Sequence, residues 1–93
     1  MTNYEWDPKK AGSNLAKHGV SFDLAIDALE DPFVITVFSS KEGEDRWKAI
    51  GAVFGTQVLS VVYALRNNKN TIRIISARTA SNTERVIYDQ QNK

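Results

Sequence analysis

The 93-residue chain has no cysteine, a single histidine, a single methionine and two prolines. Without thiols it can build neither a disulfide nor a thiolate zinc site, so its fold must rest on packing. That suits a reducing compartment, and a cytoplasmic location is the expectation. No apolar stretch follows Met1, which argues against a secretory leader, and no apolar run approaches the length of a bilayer span. No membrane association is therefore expected. Phosphate-binding glycine loops, dinucleotide fingerprints and nucleophile elbows are all missing, so ordinary cofactor chemistry is disfavoured and no cofactor is expected. Glu42, Glu44 and Asp45 form a small acidic cluster, but without a histidine nearby they read as solvated loop carboxylates, and no metal site is assigned.

What the chain does have is a divided charge. Up to Asp45, four lysines face nine acidic residues, a balance of −5; from Arg46 onward, eight Lys/Arg face only Glu84 and Asp89, a balance of +6. The net value of +1 conceals this split. Packing alone does not require it, and it suggests that one part of the molecule handles a polyanion. The length fits one domain spanning residues 1–93, with ordinary globular proportions of 42% hydrophobic and 25% charged residues.

Tyr4-Glu5-Trp6 reads as a short strand with both aromatics on one face. Asp7-Pro8 reads as an N-cap and first turn, opening a helix to about Lys17 with Ala11, Leu15 and His18 on one stripe, stopped by Gly19. Ser21 opens a second helix in which Phe22, Ala25, Ile26 and Leu29 repeat at buried-face spacing, closed by Asp31-Pro32. The period then becomes strand-like. Phe33–Phe38, Arg46–Phe54, Gln57–Leu65 and Thr71–Ala77 are four strands, with a polar loop at 39–45 and tight turns at Gly55-Thr56 and Asn67–Asn70. Ser81-Asn82-Thr83-Glu84 matches a capping box, predicting a short C-terminal helix through Tyr88. The expected class is α+β, an antiparallel β-meander with two N-terminal helices and a short C-terminal helix, the helices covering one face.

Alternation assigns faces. Leu59, Val61, Tyr63 and Leu65 form one apolar set, and Ile72 and Ile74 another. Pairing Arg66 with Thr71 puts Tyr63 beside Ile74 and Ala64 beside Arg73, which leaves Arg73 away from the aliphatic face among Ser60, Val62, Ala64 and Ala77. A strict two-residue turn at Gly55-Thr56 would bury Arg46 and Lys48; a bulged turn puts Trp47, Ala49 and Val53 inside and both cations beside Arg73. Burying unpartnered cations is costly, so the bulged register is preferred.

Arg73 and Arg78 bracket a strand-to-loop segment, and a guanidinium fork suits phosphate. Both could instead pair with carboxylates of their own chain, Glu84 or Asp89 among them; the two readings balance for Arg78, near the capping box, while the phosphate reading leads for Arg73, mid-strand among small residues. His18 and Tyr63 are candidate acid–base groups, although a histidine at a helix C-terminus commonly serves the cap. Trp47, Arg66 and Arg85 are candidate RNA contacts, by stacking or by charge, while Trp47 also fits a core position.

Taken as a set, these segments resemble the BrnT family of bacterial type II toxins. The matching text is Tyr4-Glu5-Trp6-Asp7-Pro8-Lys9-Lys10-Ala11, Asn14-Leu15, Lys17 to Phe22, Ala25, Asp31-Pro32, Gly43-Glu44 with Arg46, Val61-Val62-Tyr63, Ile72 to Arg78, and Ala80, Glu84-Arg85 and Tyr88. The resemblance implies a RelE-like ribonuclease fold and growth inhibition through metal-independent RNA cleavage. It also implies a BrnA-like antitoxin carrying a ribbon-helix-helix DNA-binding domain, through which the pair would reach operator DNA. Family activity is thought to depend on basic sheet residues, which fall here on Arg46, Lys48, Arg73 and Arg78 as the catalytic candidates. Thr79 stands where the family often has a further basic residue, so the basic edge is thinner than usual.

Overall fold

The computed structural model describes residues 2–41, 44–54 and 57–92. Eight elements follow one another: β1 (Asn3–Glu5), α1 (Pro8–His18), α2 (Phe22–Leu29), β2 (Ile35–Lys41), β3 (Glu44–Val53), β4 (Gln57–Arg66), β5 (Thr71–Thr79) and α3 (Asn82–Gln91). The five strands make one sheet in the order β1-β5-β4-β3-β2. β2 to β5 form the antiparallel meander anticipated from the turns, whereas β1 joins β5 in parallel, Asn3 opposite Thr71 and Glu5 opposite Arg73. The parallel pairing had no signature in the sequence, because a three-residue strand carries no register information of its own.

Local signals place the helices. The Asp7 carboxylate accepts the Lys9 amide and Pro8 occupies the first turn of α1, while Gly19 ends it at φ 70° with its amide bonded to the Leu15 carbonyl. Ser21 caps α2 through the Leu24 amide. Ser81 and Glu84 close both halves of the capping box on α3. That helix runs to Gln91, past the expected stop at Tyr88.

α1 and α2 cover one sheet face. Phe22, Ala25 and Ala28 pack on Ala49, Val53, Leu59, Val61, Tyr63, Ile74 and Ala77, with Trp6 set edge-on against Phe22 at 5.9 Å. Gly51 lets α2 approach this closely: a Cβ there would lie 2.1 Å from the Ala28 carbonyl oxygen. The stripe expected on α1 is wrong. Leu15 and His18 are exposed, and the helix docks instead through Asn14. The Asn14 amide donates to the carbonyls of Ala77 (2.7 Å) and Val20 (3.0 Å) and accepts the Ala77 amide (3.1 Å). It thus supplies a strand-like partner to β5 beyond the point where β1 ends.

The expectation that all helices share one face also fails. Glu84 of α3 meets Ser60, Lys48 and Arg78, whose positions alternate with the core residues, so α3 crosses one end of the opposite face. The remainder of that face is left to the site below. Phe33 lies outside β2, and Gly55, Thr56, Glu42 and Gly43 fall outside the described residues. The expected polar loop is shorter than read, since β2 continues through Ser39–Lys41 and β3 begins at Glu44. No helix among the described residues is long and apolar enough to cross a membrane.

Candidate nucleic-acid interface

β3 presents Arg46 and Lys48 on the face away from α1 and α2, because Trp47, Ala49 and Val53 point into the core. This is the bulged-turn register; Val53 pairs with Gln57, and Phe54, at φ 54°, begins the connection. Arg46 lies opposite Ala64 and Lys48 opposite Val62. One strand further, Ala64 lies opposite Arg73 and Ser60 opposite Arg78. Small residues on β4 thus form a shallow floor with cations on either side.

Arg73 and Arg78 reach the same face only through an irregularity. Five residues separate them, so in a regular strand they would point to opposite sides. Val62 pairs with Ser76 but Tyr63 with Ile74, leaving Ile75 as the extra residue of a β-bulge. Beyond the bulge the alternation is inverted. Ala77, expected on the Arg73 face, is fully buried in the core, and Arg78 takes its place beside the other cations. The sequence held the clue: Ile72, Ile74 and Ala77 can all face inward, with Arg73 and Arg78 outward, only if one residue is inserted between Ile74 and Ala77.

Each of these arginines already has a carboxylate. Arg73 Nη1 bonds Glu5 Oε2 at 2.6 Å, a pair brought together by the β1–β5 pairing, with both side chains about one-third exposed. Arg78 grips Glu84 through both terminal nitrogens, at 2.7 and 3.1 Å, and Lys48 Nζ lies 2.9 Å from Glu84 Oε2. Glu84 is 5% exposed, and it also accepts the Ser81 amide and the Ser60 hydroxyl. Burial alone would raise its pKa; the Arg78, Ser81 and Lys48 bonds overcome that and hold the carboxyl well below the usual range. The same contact raises Arg78, against the opposing effect of burial. For Arg78, pairing within the chain is therefore what the geometry supports. Two cations, Lys48 and Arg78, nevertheless share the one Glu84 carboxylate.

Of the other candidates, Arg66 alone shares this strand face by register. Tyr63 is 8% exposed on the α1/α2 side, and burial raises its pKa. It is not within the cationic face, because it alternates with Val62 and Ala64. Trp47 shares that side, braced edge-on by Phe38 at 5.0 Å. His18, the last residue of α1, lines a hollow of about 230 Å³ with Lys10, Lys17 and Ser76, at the β5 edge. Arg66 lies on the cationic face beside Thr71. Arg85 lines a cavity of about 620 Å³ at the opposite end among Asp27, Glu30, Asp31 and Asp89. Those acids make that cavity unsuited to phosphate. Asp31, read from sequence only as a helix terminator, is a hub there. It accepts the Phe33 and Ala52 amides and the Tyr88 hydroxyl. Burial raises its pKa, but these bonds leave it lowered overall, while Tyr88, desolvated and bonded to Asp31, rises to about 12.

Comparison with known proteins gives the arrangement a context. The family model described as the ribonuclease toxin, BrnT, of type II toxin–antitoxin systems matches residues 6–84. The crystal structure of the Brucella abortus ribonuclease toxin BrnT superposes with a TM-score of 0.60 at 24% identity, covering 87% of this chain and 99% of that one. At that identity the likeness speaks for the fold alone. No curated protein matches the chain.

Proposed function

Since the chain belongs to the BrnT family of ribonuclease toxins of type II toxin–antitoxin systems, we propose that it is a cytoplasmic, metal-independent endoribonuclease of RelE-like fold. It would block translation by cutting RNA and be neutralised by a BrnA-like antitoxin with a ribbon-helix-helix domain, which would carry the pair to operator DNA. The observation that carries this reading is the gathering of Arg46, Lys48, Arg73 and Arg78 on one face over small β4 residues, with the bulge at Ile75 bringing in the last of them. RNA supplies its own nucleophile. The 2′-oxygen bonds to the adjacent phosphorus, the bond from phosphorus to the 5′-oxygen breaks, and the 2′ proton leaves as the 5′-oxygen gains one. Such a reaction needs alignment and relief of the growing phosphate charge. Arg73 and Arg46 are assigned as phosphate ligands and Lys48 as the neighbouring cation. Arg78, held by Glu84, frames them. His18 stands at the β5 edge as the remaining acid–base candidate. An acidic segment of the antitoxin would cover this face by charge complementarity.

Purified protein should cleave RNA in the presence of EDTA, and Arg73→Ala should lower the rate by about 10²–10³-fold, on the scale of losing one preorganised donor. Cleavage that persists unchanged in that variant removes Arg73 from the chemistry. The ion pairs at Arg73 and Arg78, and the absence of Tyr63 from the cationic face, favour a second reading: a non-catalytic module that binds RNA or antitoxin. Intact RNA in cells expressing the chain alone, together with growth arrest, would select it.

A further inference from the structure

At the rim of the cationic face, where β4 turns into β5, lies a cavity of about 260 Å³ that the phosphate contacts leave unused. Trp47 and Leu65, on the α1/α2 side of the sheet, form the apolar wall; Asp45, Arg66, Asn67, Asn68 and Lys69 supply the polar surround. The turn is built to present them. Asn67, Asn68 and Lys69 take left-handed backbone angles in succession, at φ 53°, 56° and 70°. Asparagine tolerates that region, but lysine gains nothing there from its backbone. The Asn67 amide is fixed by a 3.1 Å bond to the Thr71 hydroxyl. Phe38 packs against the indole of Trp47 in a T-shaped contact at 5.0 Å. A rigid aromatic wall, amide and carboxylate groups at the side and two cations at the mouth are the parts of a nucleobase pocket.

We infer that this cavity is a base-recognition subsite, taking one nucleobase of the RNA with Trp47 as stacking wall and Asn68 and Asp45 reading its edge. The inference rests on the ribonuclease reading above for its substrate. Arg66 connects the two regions. By register it shares the cationic face with Arg73 and Arg46, whereas Trp47 and Leu65 of the cavity face the α1/α2 side, so a nucleotide using both would place its phosphate on the cationic face and wrap its base around the end of the sheet. Guanine fits best. Its N1–H and N2–H donate in one direction, the pattern a carboxylate accepts, whereas uracil, adenine and cytosine each present a single donor group on that edge.

The chain contains two tryptophans, so Trp6→Phe leaves Trp47 as the sole indole reporter. In that background the expected result is saturable fluorescence quenching by nucleoside monophosphates, tightest for GMP. Asn68→Gly keeps the backbone angle while removing the amide, and Asp45→Asn removes the carboxylate; each should weaken GMP binding about tenfold. Each should also shift cleavage away from sites containing guanine. Absence of quenching, equal quenching by all four nucleotides, or unchanged GMP binding in both variants overturns the subsite. The two readings fail separately. RNA cleavage that depends on Arg73 without nucleotide quenching defeats the subsite alone; GMP binding without RNA cleavage supports the subsite and defeats the nuclease.

Discussion

Glu84 carries more consequence than its place in a capping box suggests. One carboxylate accepts the Ser81 amide at the start of α3 and positions Lys48 and Arg78 on the neighbouring face. Its folded pKa is depressed, so its contribution to stability is complete above the unfolded value near ~4.3 and fades as acid titrates it through the folded value. Glu84→Gln should cost about 1–3 kcal/mol at pH 7, below the range for a fully buried pair because Lys48 and Arg78 retain solvent. The gap between wild type and variant in urea unfolding should narrow as pH falls below about 4. A gap that widens in acid would contradict the assignment of the lowered pKa. Ser81→Ala, which weakens the cap but leaves the cation contacts, should destabilise by about 1 kcal/mol and leave RNA affinity unchanged.

At the scale of elements, the sheet is completed at both flanks by side chains. β1 pairs only with Thr71–Arg73, and Asn14 takes over at Ala77; β2 stops opposite Ile50, and Asp31 accepts the Ala52 amide beyond it. Asn14→Leu should lower stability by about 1–3 kcal/mol in chemical denaturation, since it strands a buried amide and two carbonyls. Gly51→Ala should act in the same range by driving α2 away from β3, seen as a lower Tm. How legible these features were differs by mechanism. Caps and turns are short-range, so Asp7, Gly19, Ser21 and the Ser81–Glu84 box declare themselves in sequence. The register of β3 followed from the cost of burying Arg46 and Lys48. Asn14 was missed because apolar spacing cannot mark a helix that docks through an amide. The bulge at Ile75 is hidden from simple alternation, because it shows only when Arg73 and Arg78 are required to share a face with Ile74 and Ala77 inward. Deleting Ile75 should restore simple alternation with Ala77 still inward and Arg78 still on the cationic face, so RNA affinity should persist; loss of binding in that deletion would contradict Ile75 as the extra residue.

Across the whole molecule, the charge split in sequence becomes a spatial one: cations over the β3–β5 face, and acids around the cavity between α2 and α3. Glu5, like Glu84, is an exception: an acid delivered to the cationic face, here by the β1–β5 pairing, and engaged with Arg73. A phosphate bound by Arg73 must compete with it. Both side chains are partly solvated, so the pair itself adds little stability. Glu5→Gln should therefore tighten RNA binding with little change in Tm, whereas Arg73→Ala should weaken it. The salt dependence separates direct contact from general attraction. Each phosphate contact on single-stranded RNA contributes about −0.7 to the slope of log affinity against log salt. Losing Arg73 or Arg46 should each make that slope shallower by about this amount, and removing Glu5 should leave it the same or steeper. If Glu5→Gln weakens binding instead, the carboxylate is orienting Arg73 for the phosphate rather than competing with it, and the pair must be counted as part of the site.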